Sequence, residues 1–284
     1  MQHSFRLTIQ CPDQVGLVAT VAQFLAHYGA TILEANHHTD LTTQRFFMRH
    51  EIAADSVDLD IKTFEAAFAP IARKYQMDWQ VTDPAVLPKV ALLASHETHC
   101  LADILHRWHT GELNCDIPCI IANHSQIADI AAWYKIPFYF VDFKDQDKAD
   151  AFAKVQDLLV EHRADTVVLA RFMQILPASM CESWVGQAIN IHHSFLPSFA
   201  GAKPYQQAYD RGVKLIGATC HYVTTDLDEG PIIEQQVMRI SHSDSAADMG
   251  RKGRDCEKTA LANGLRYHLE NRVLIDKNKT IVFA

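Results

Sequence analysis

No stretch of this 284-residue chain approaches the roughly 18 consecutive apolar residues of a membrane-spanning helix. The opening Met1-Gln2-His3-Ser4-Phe5-Arg6 lacks the apolar core of a signal peptide, so a cytoplasmic protein without membrane attachment is expected. Basic residues are outnumbered, 26 against 34, for a net charge of -8, and they form no long run. A nucleic-acid partner is therefore not expected, because phosphate contacts need clustered lysine and arginine. Low-complexity tracts are missing. Cys-x-x-Cys pairs are missing too, and seven cysteines is an odd number, which argues for reduced, mostly buried thiols rather than a disulfide framework. His96-Glu97-Thr98-His99 falls one residue short of the His-Glu-x-x-His spacing that sets two imidazoles on one helix face, so no metal is expected.

What is present reads as two regions. Phe5 to Gln10 alternates as a strand, and Cys11-Pro12-Asp13 is a turn with a helix-start signal. Val15, Val18, Val21, Ala22 and Leu25 then recur at helical spacing up to Gly29. Thr31 to His38 and Arg45 to Ile52 read as strands, Asp60 to Tyr75 as a helix, and Met77 to Val81 as a strand. The order β-α-β-β-α-β predicts a ferredoxin-like α+β domain over residues 1–84, followed by the linker Asp83-Pro84-Ala85-Val86-Leu87-Pro88.

Over residues 85–284 the pattern becomes strand–helix alternation, which predicts an α/β domain with a mostly parallel sheet. Strands are expected at Val90 to Ala94, Cys115 to Ala122, Phe138 to Val141, Thr166 to Ala170 and Ala188 to His192. Helices are expected at Cys100 to Trp108, from a cap at Ser125 to Tyr134, and at Asp147 to Glu161. A short helix, Pro204 to Arg211, precedes two longer strands, Lys214 to Val223 and Ile232 to Ile240, expected antiparallel. A helix from about Ser245 to Glu270 and a hairpin at Arg272 to Ala284 close the chain.

The chemistry concentrates between Ala188 and Gln235. Asn190 and His192 sit two apart on a strand and so point to the same side. Asp228 follows in a loop just before Gly230-Pro231. An amide and a protonated imidazole can stabilise an oxyanion, while a carboxylate can manage a nucleophile's proton. His193 is expected on the opposite side in a structural role. His221 either lines the pocket or is an ordinary sheet histidine.

Two resemblances carry further implications. Pro12-Asp13-Gln14-Val15-Gly16-Leu17-Val18 and the helix after it resemble an ACT domain. Such domains usually pair with each other and bind amino acids, here for example glycine or methionine. A homo-oligomer is then expected, either with an effector or as a dimerisation domain that has lost its ligand. Asn190-Ile191-His192, Leu196-Pro197-Ser198-Phe199, Gly217-Ala218-Thr219 and Leu227-Asp228-Glu229-Gly230-Pro231 resemble the formyltransferase-fold family, which includes glycinamide ribonucleotide and methionyl-tRNA formyltransferases. An ACT-like domain ahead of this fold matches the branch that hydrolyses 10-formyltetrahydrofolate, releasing formate, for example for purine synthesis. The resemblance implies that Asn190, His192 and Asp228 are the catalytic trio. It also implies that folate is the substrate and that no cofactor is needed.

Arg171-Phe172-Met173-Gln174-Ile175-Leu176 resembles the family's pterin-contacting segment and leaves the carboxyl end of a strand, where ligands bind in such sheets. Thr225 and Asp226 belong to the loop expected to close the other side. The alternative is transfer of the formyl group to an amine acceptor. The loop Ser95-His96-Glu97-Thr98-His99 has no glycine with which to cradle an acceptor's phosphate. His96 and Glu97 are therefore expected to fill the acceptor pocket and leave water as nucleophile. An amino-acid sensor without catalysis is a second alternative, against which the complete trio argues.

Overall fold

The computed structural model describes residues 4–57, 59–196 and 204–284. The expected motif Leu196-Pro197-Ser198-Phe199 therefore lies mostly outside the described residues. The chain divides into two compact units. One runs to Leu87 and also takes in Glu270–Asp276 and Ile281–Ala284, a return of the C-terminus that a boundary near residue 84 does not include. The other comprises Pro88–Leu269 and Lys277–Thr280.

The first unit contains β1 (Ser4–Pro12), α1 (Leu17–His27), β2 (Ile32–Asp40), β3 (Arg45–Ala53), α2 (Ile61–Lys74) and β4 (Asp78–Thr82). Its sheet order is β2-β3-β1-β4, with β1 antiparallel to both neighbours. Phe5, Leu7, Ile9 and Cys11 are buried on alternate positions of β1, the pleat placing every second side chain against the helices. Val21, Leu25, Phe64 and Phe68 close the core from the helix side. The helix start lies later than Asp13: the cap is Gly16, at φ +94°, where a side chain would be strained. A Cβ there would meet nothing within 4 Å, so backbone conformation, not crowding, calls for glycine. Asp60 does cap α2, its carboxylate accepting from the Thr63 amide at 2.7 Å. Across β2 and β3, the Nε2 atoms of His37 and His50 lie 2.7 Å apart, and burial, then His37, pushes His50 down to about 4.

The second unit continues with β5 (Val90–Ala94), α3 (His99–His109), β6 (Ile120–Ala122), α4 (Ile127–Tyr134), β7 (Phe138–Phe140), α5 (Lys148–Glu161), β8 (Thr166–Ala170), α6 (Ala178–Ser183), β9 (Ala188–His192), α7 (Pro204–Arg211), β10 (Leu215–Tyr222), β11 (Ile232–Arg239) and α8 (Ala246–Leu269). A two-stranded pair, β12 (Val273–Asp276) and β13 (Lys279–Val282), ends the chain. The seven-stranded sheet runs β11-β10-β9-β8-β5-β6-β7. Strands β5 to β9 are parallel, while β10 is antiparallel to β9 and β11. Val90 to Ala94 and Thr166 to Ala170 are buried throughout, as central strands covered on both faces must be. Strand order reverses between β5 and β8, which makes their carboxyl ends the place where a ligand crevice opens.

Two local expectations change. Pro118 has no amide proton for the ladder, and β6 is confined to Ile120–Ala122. Ser125 does not cap α4: the cap is Gln126, whose side chain makes no capping hydrogen bond and donates instead to the His96 carbonyl.

Candidate active site

Strand β9 ends in the residues the sequence singled out. Asn190 and His192 are both half-buried on the face that alternates away from the buried Ile189 and Ile191. The antiparallel register sets Asn190 opposite His221 and His192 opposite Thr219. Strand β10 ends at Tyr222, opposite Ile189, so the loop after it has to fold back along β9 to reach the site. It does so: the Asp228 carboxylate stands 3.2 Å from His192 Nδ1 and 3.7 Å from His221 Nε2. The turn is held by backbone crowding, since a Cβ on Gly230 would sit 1.8 Å from the Tyr222 carbonyl. Asp228 itself has φ +58°, a left-handed conformation that Asp tolerates better than most residues.

His221 is the residue whose role the sequence left open. Its Nδ1 lies 2.9 Å from the Tyr222 carbonyl, which can only accept, so this nitrogen carries a proton. Its Nε2 lies 3.2 Å from the Asn190 side-chain nitrogen and accepts one amide proton in the neutral form. The second amide proton of Asn190 stays available. The His192 imidazole, hydrogen-bonded through Nδ1, and then the nearby His221 ring hold the Asp228 carboxyl well below the usual carboxylate range. Below the site, Thr219 Oγ1 donates to the Ser194 carbonyl and accepts from the Leu196 amide, while Gln235 Nε2 donates to both Thr219 Oγ1 and the Leu196 carbonyl. The chain leaving β9 is thus pinned from two strands.

The segment after β8 divides by burial. Phe172 and Leu176 place their side chains in the core of the second unit, Phe172 edge-on to Phe143, and leave only their backbone to face a ligand. Met173 and Ile175 are 61% and 69% exposed at the carboxyl end of the sheet, and Gln174 is half-buried between them. Arg171 and Met173 both adopt positive φ, so the backbone here is held in an uncommon shape.

The Arg171 side chain faces a buried acid. Its Nε stands 3.3 Å from Glu257 on α8, which is 1% exposed. The same carboxylate lies 2.7 Å from His99 Nε2 and accepts from the Tyr205 hydroxyl at 2.9 Å. Burial raises the Glu257 carboxyl, but the His99 hydrogen bond and the Arg171 charge outweigh it and the net shift is downward. Side-chain atoms of His99, Cys100 and Glu257 lie within 4.8 Å of one another, a spacing a metal ion could bridge. The Cys100 thiol is pushed well up by burial and by Glu257, and Arg171 already supplies the cation, so the donor set does not suit a metal. Thr225 and Asp226 are exposed, as are His96 and Glu97 on the loop after β5.

Comparison with known proteins agrees with this architecture. The family described as Formyl transferase matches residues 88–265, and the ACT domain family matches residues 5–69. The chain is 44% identical to a formyltetrahydrofolate deformylase of Bacillus subtilis, covering 98% of this chain and 93% of that one. The crystal structure of a formyltetrahydrofolate deformylase from Pseudomonas syringae superposes with a TM-score of 0.98 at 57% identity, covering 100% of this chain and 95% of that one. Glycinamide ribonucleotide transformylase 1 of Symbiobacterium toebii matches 70% of this chain and 95% of its own, with a TM-score of 0.66 at 25% identity.

Proposed function

The chain belongs to the formyltetrahydrofolate deformylase family, and on that premise we infer that it hydrolyses 10-formyltetrahydrofolate to formate and tetrahydrofolate through Asn190, His192 and Asp228. The observation that carries this reading is the His192–Asp228 pair at 3.2 Å on the face that also presents Asn190. Attack turns the planar formyl carbonyl into a tetrahedral centre with a negative oxygen. The free amide proton of Asn190 meets that oxygen, and His192 as imidazolium adds a charged donor from Nε2 while Nδ1 faces Asp228. One fixed donor of this kind is worth about 3 kcal/mol of barrier. Water forms the new C–O bond, its proton passes by way of Asp228 to the folate nitrogen, and the C–N bond breaks with its electron pair on that nitrogen. A carboxylate held so low is a weak base, so its larger task is to orient the water and pair with the imidazolium.

His221 acts as a positioning residue, fixing the Asn190 amide from the facing strand. The segment from Arg171 to Leu176, with Met173 and Ile175 exposed, and the loop residues Thr225 and Asp226 are the candidates for the pterin slot, an apolar recess with backbone partners along its edge. The chemistry calls for no cofactor besides the folate substrate. For the ACT domain we place an amino acid such as glycine or methionine as effector, with a homo-oligomer as the working form in the cytoplasm. The test is acceptor-free turnover. With 10-formyltetrahydrofolate alone the protein should release formate continuously; release only after an amine is supplied would replace hydrolysis by transfer.

A further inference from the structure

The buried cluster around Glu257 lies against the catalytic strand end through a short series of rings. His193 is 5.1 Å, ring centre to ring centre, from His192, and 6.4 Å from Tyr205. Tyr205 in turn donates to Glu257 and lies so close on α8 that a Cβ at Gly253 would fall 2.0 Å from its hydroxyl. His99 joins from the start of α3, immediately beyond the loop that follows β5, and Arg171 joins from the exit of β8. Those two strand ends flank the point where strand order reverses, the crevice in which a second substrate would have to stand. Beside that point His99, Arg171 and Tyr205 converge on Glu257. Burial, then Arg171 and His192, push His193 down to about 4, which leaves it a neutral, packed ring at neutral pH.

We propose that His99, Arg171, Glu257 and Tyr205, backing His193, form a plug that closes the acceptor side of the formyl site and so selects water over an amine. This rests on the hydrolytic reading and deepens it by naming the residues that set the choice of nucleophile. The cluster suits the task because its parts hold each other in place. Removing one donor leaves a buried carboxylate short of a partner, so the side chains gathered on Glu257 are costly to move aside for a small amine.

The experiment is a partition assay with 10-formyltetrahydrofolate in the presence of saturating glycinamide, following formate and N-formylglycinamide together. The wild-type protein should give formate alone. Tyr205→Phe keeps the ring and loses only the hydroxyl donor to Glu257, so it should shift the product ratio less than Tyr205→Leu. Tyr205→Leu, which still packs on Gly253, should open the acceptor side and raise the ratio of formylated amine to formate by roughly tenfold or more. His99→Gln, which removes the imidazole and keeps a side chain of moderate length, should raise it in the same direction. Wild-type protein that formylates glycinamide as readily as it releases formate overturns the plug, whatever the variants do. So does an unchanged ratio in a folded Tyr205→Leu protein. Wild-type protein that releases no formate without glycinamide is a different failure, that of the hydrolytic reading itself.

Discussion

Asp228 combines a left-handed backbone with a carboxylate shared between two imidazoles. Asn tolerates the same backbone, so Asp228→Asn should leave the loop in place and remove only the charge. Turnover should fall by about 10²–10⁴-fold while folate affinity, read by titration calorimetry, stays near that of the wild type. His221→Ala tests a subtler function. It frees the Asn190 amide to rotate, and steady-state kinetics should show a loss in kcat of roughly 10²-fold with KM little changed, because the interaction it supports is made in the transition state. At this scale the sequence spoke unevenly. Asn190 and His192 were legible because strand periodicity alone puts them on one face. His221 satisfied that periodicity equally well as a plain sheet residue, and only the register opposite Asn190 distinguishes it. Glu257 gave no signal at all. It is one charged residue on a long helix, and its partners His99, Arg171 and Tyr205 are brought to it by tertiary structure.

Elements show where local chemistry suffices and where it does not. Strand β8 has the bounds that its apolar run predicts, since a central parallel strand is apolar throughout and changes composition abruptly at its ends, and β9 has the bounds that its alternation of apolar and polar residues predicts. The start of α1 was misplaced because a positive-φ glycine, rather than the Asp13 side chain, begins it. The pairing of β10 with β11 depends on close backbone approach. A Cβ on Gly217 would lie 2.3 Å from the Gln236 carbonyl. Gly230 is tighter still, and it is the hinge of the loop that carries Asp228. Gly230→Ala should therefore cost about 1–3 kcal/mol in denaturant titrations and, unlike a surface change of that size, should also depress turnover by displacing Asp228.

Among the described residues, three imidazoles are held at about 4 in the folded state, below their ordinary 6.5: His50 by burial and then His37, His193 by burial and then Arg171, and His268 by burial. The folded chain keeps each neutral, whereas the unfolded chain takes up a proton below 6.5, so their contribution is complete above that value and is lost as pH falls toward about 4. For His50, which is 1% exposed, a shift of this size corresponds to about 3 kcal/mol. Melting temperatures should decline steeply across this window, and His50→Gln should flatten part of the slope. None of this was readable from sixteen histidines in a sequence, because the shift comes from enclosure, not from composition.

The seven cysteines are all free and all buried, one of them, Cys11, in the first unit and six in the second. Burial pushes the Cys11 thiol up to about 11 and those of Cys115 and Cys119 to about 12. Thiolate is the reactive form, so the native protein should be nearly inert to maleimide dyes. Each cysteine then becomes a tag that only unfolding can ink. Mass spectrometry of dye-treated protein along a temperature ramp would read which unit opens first from whether Cys11 is marked before or after the other six.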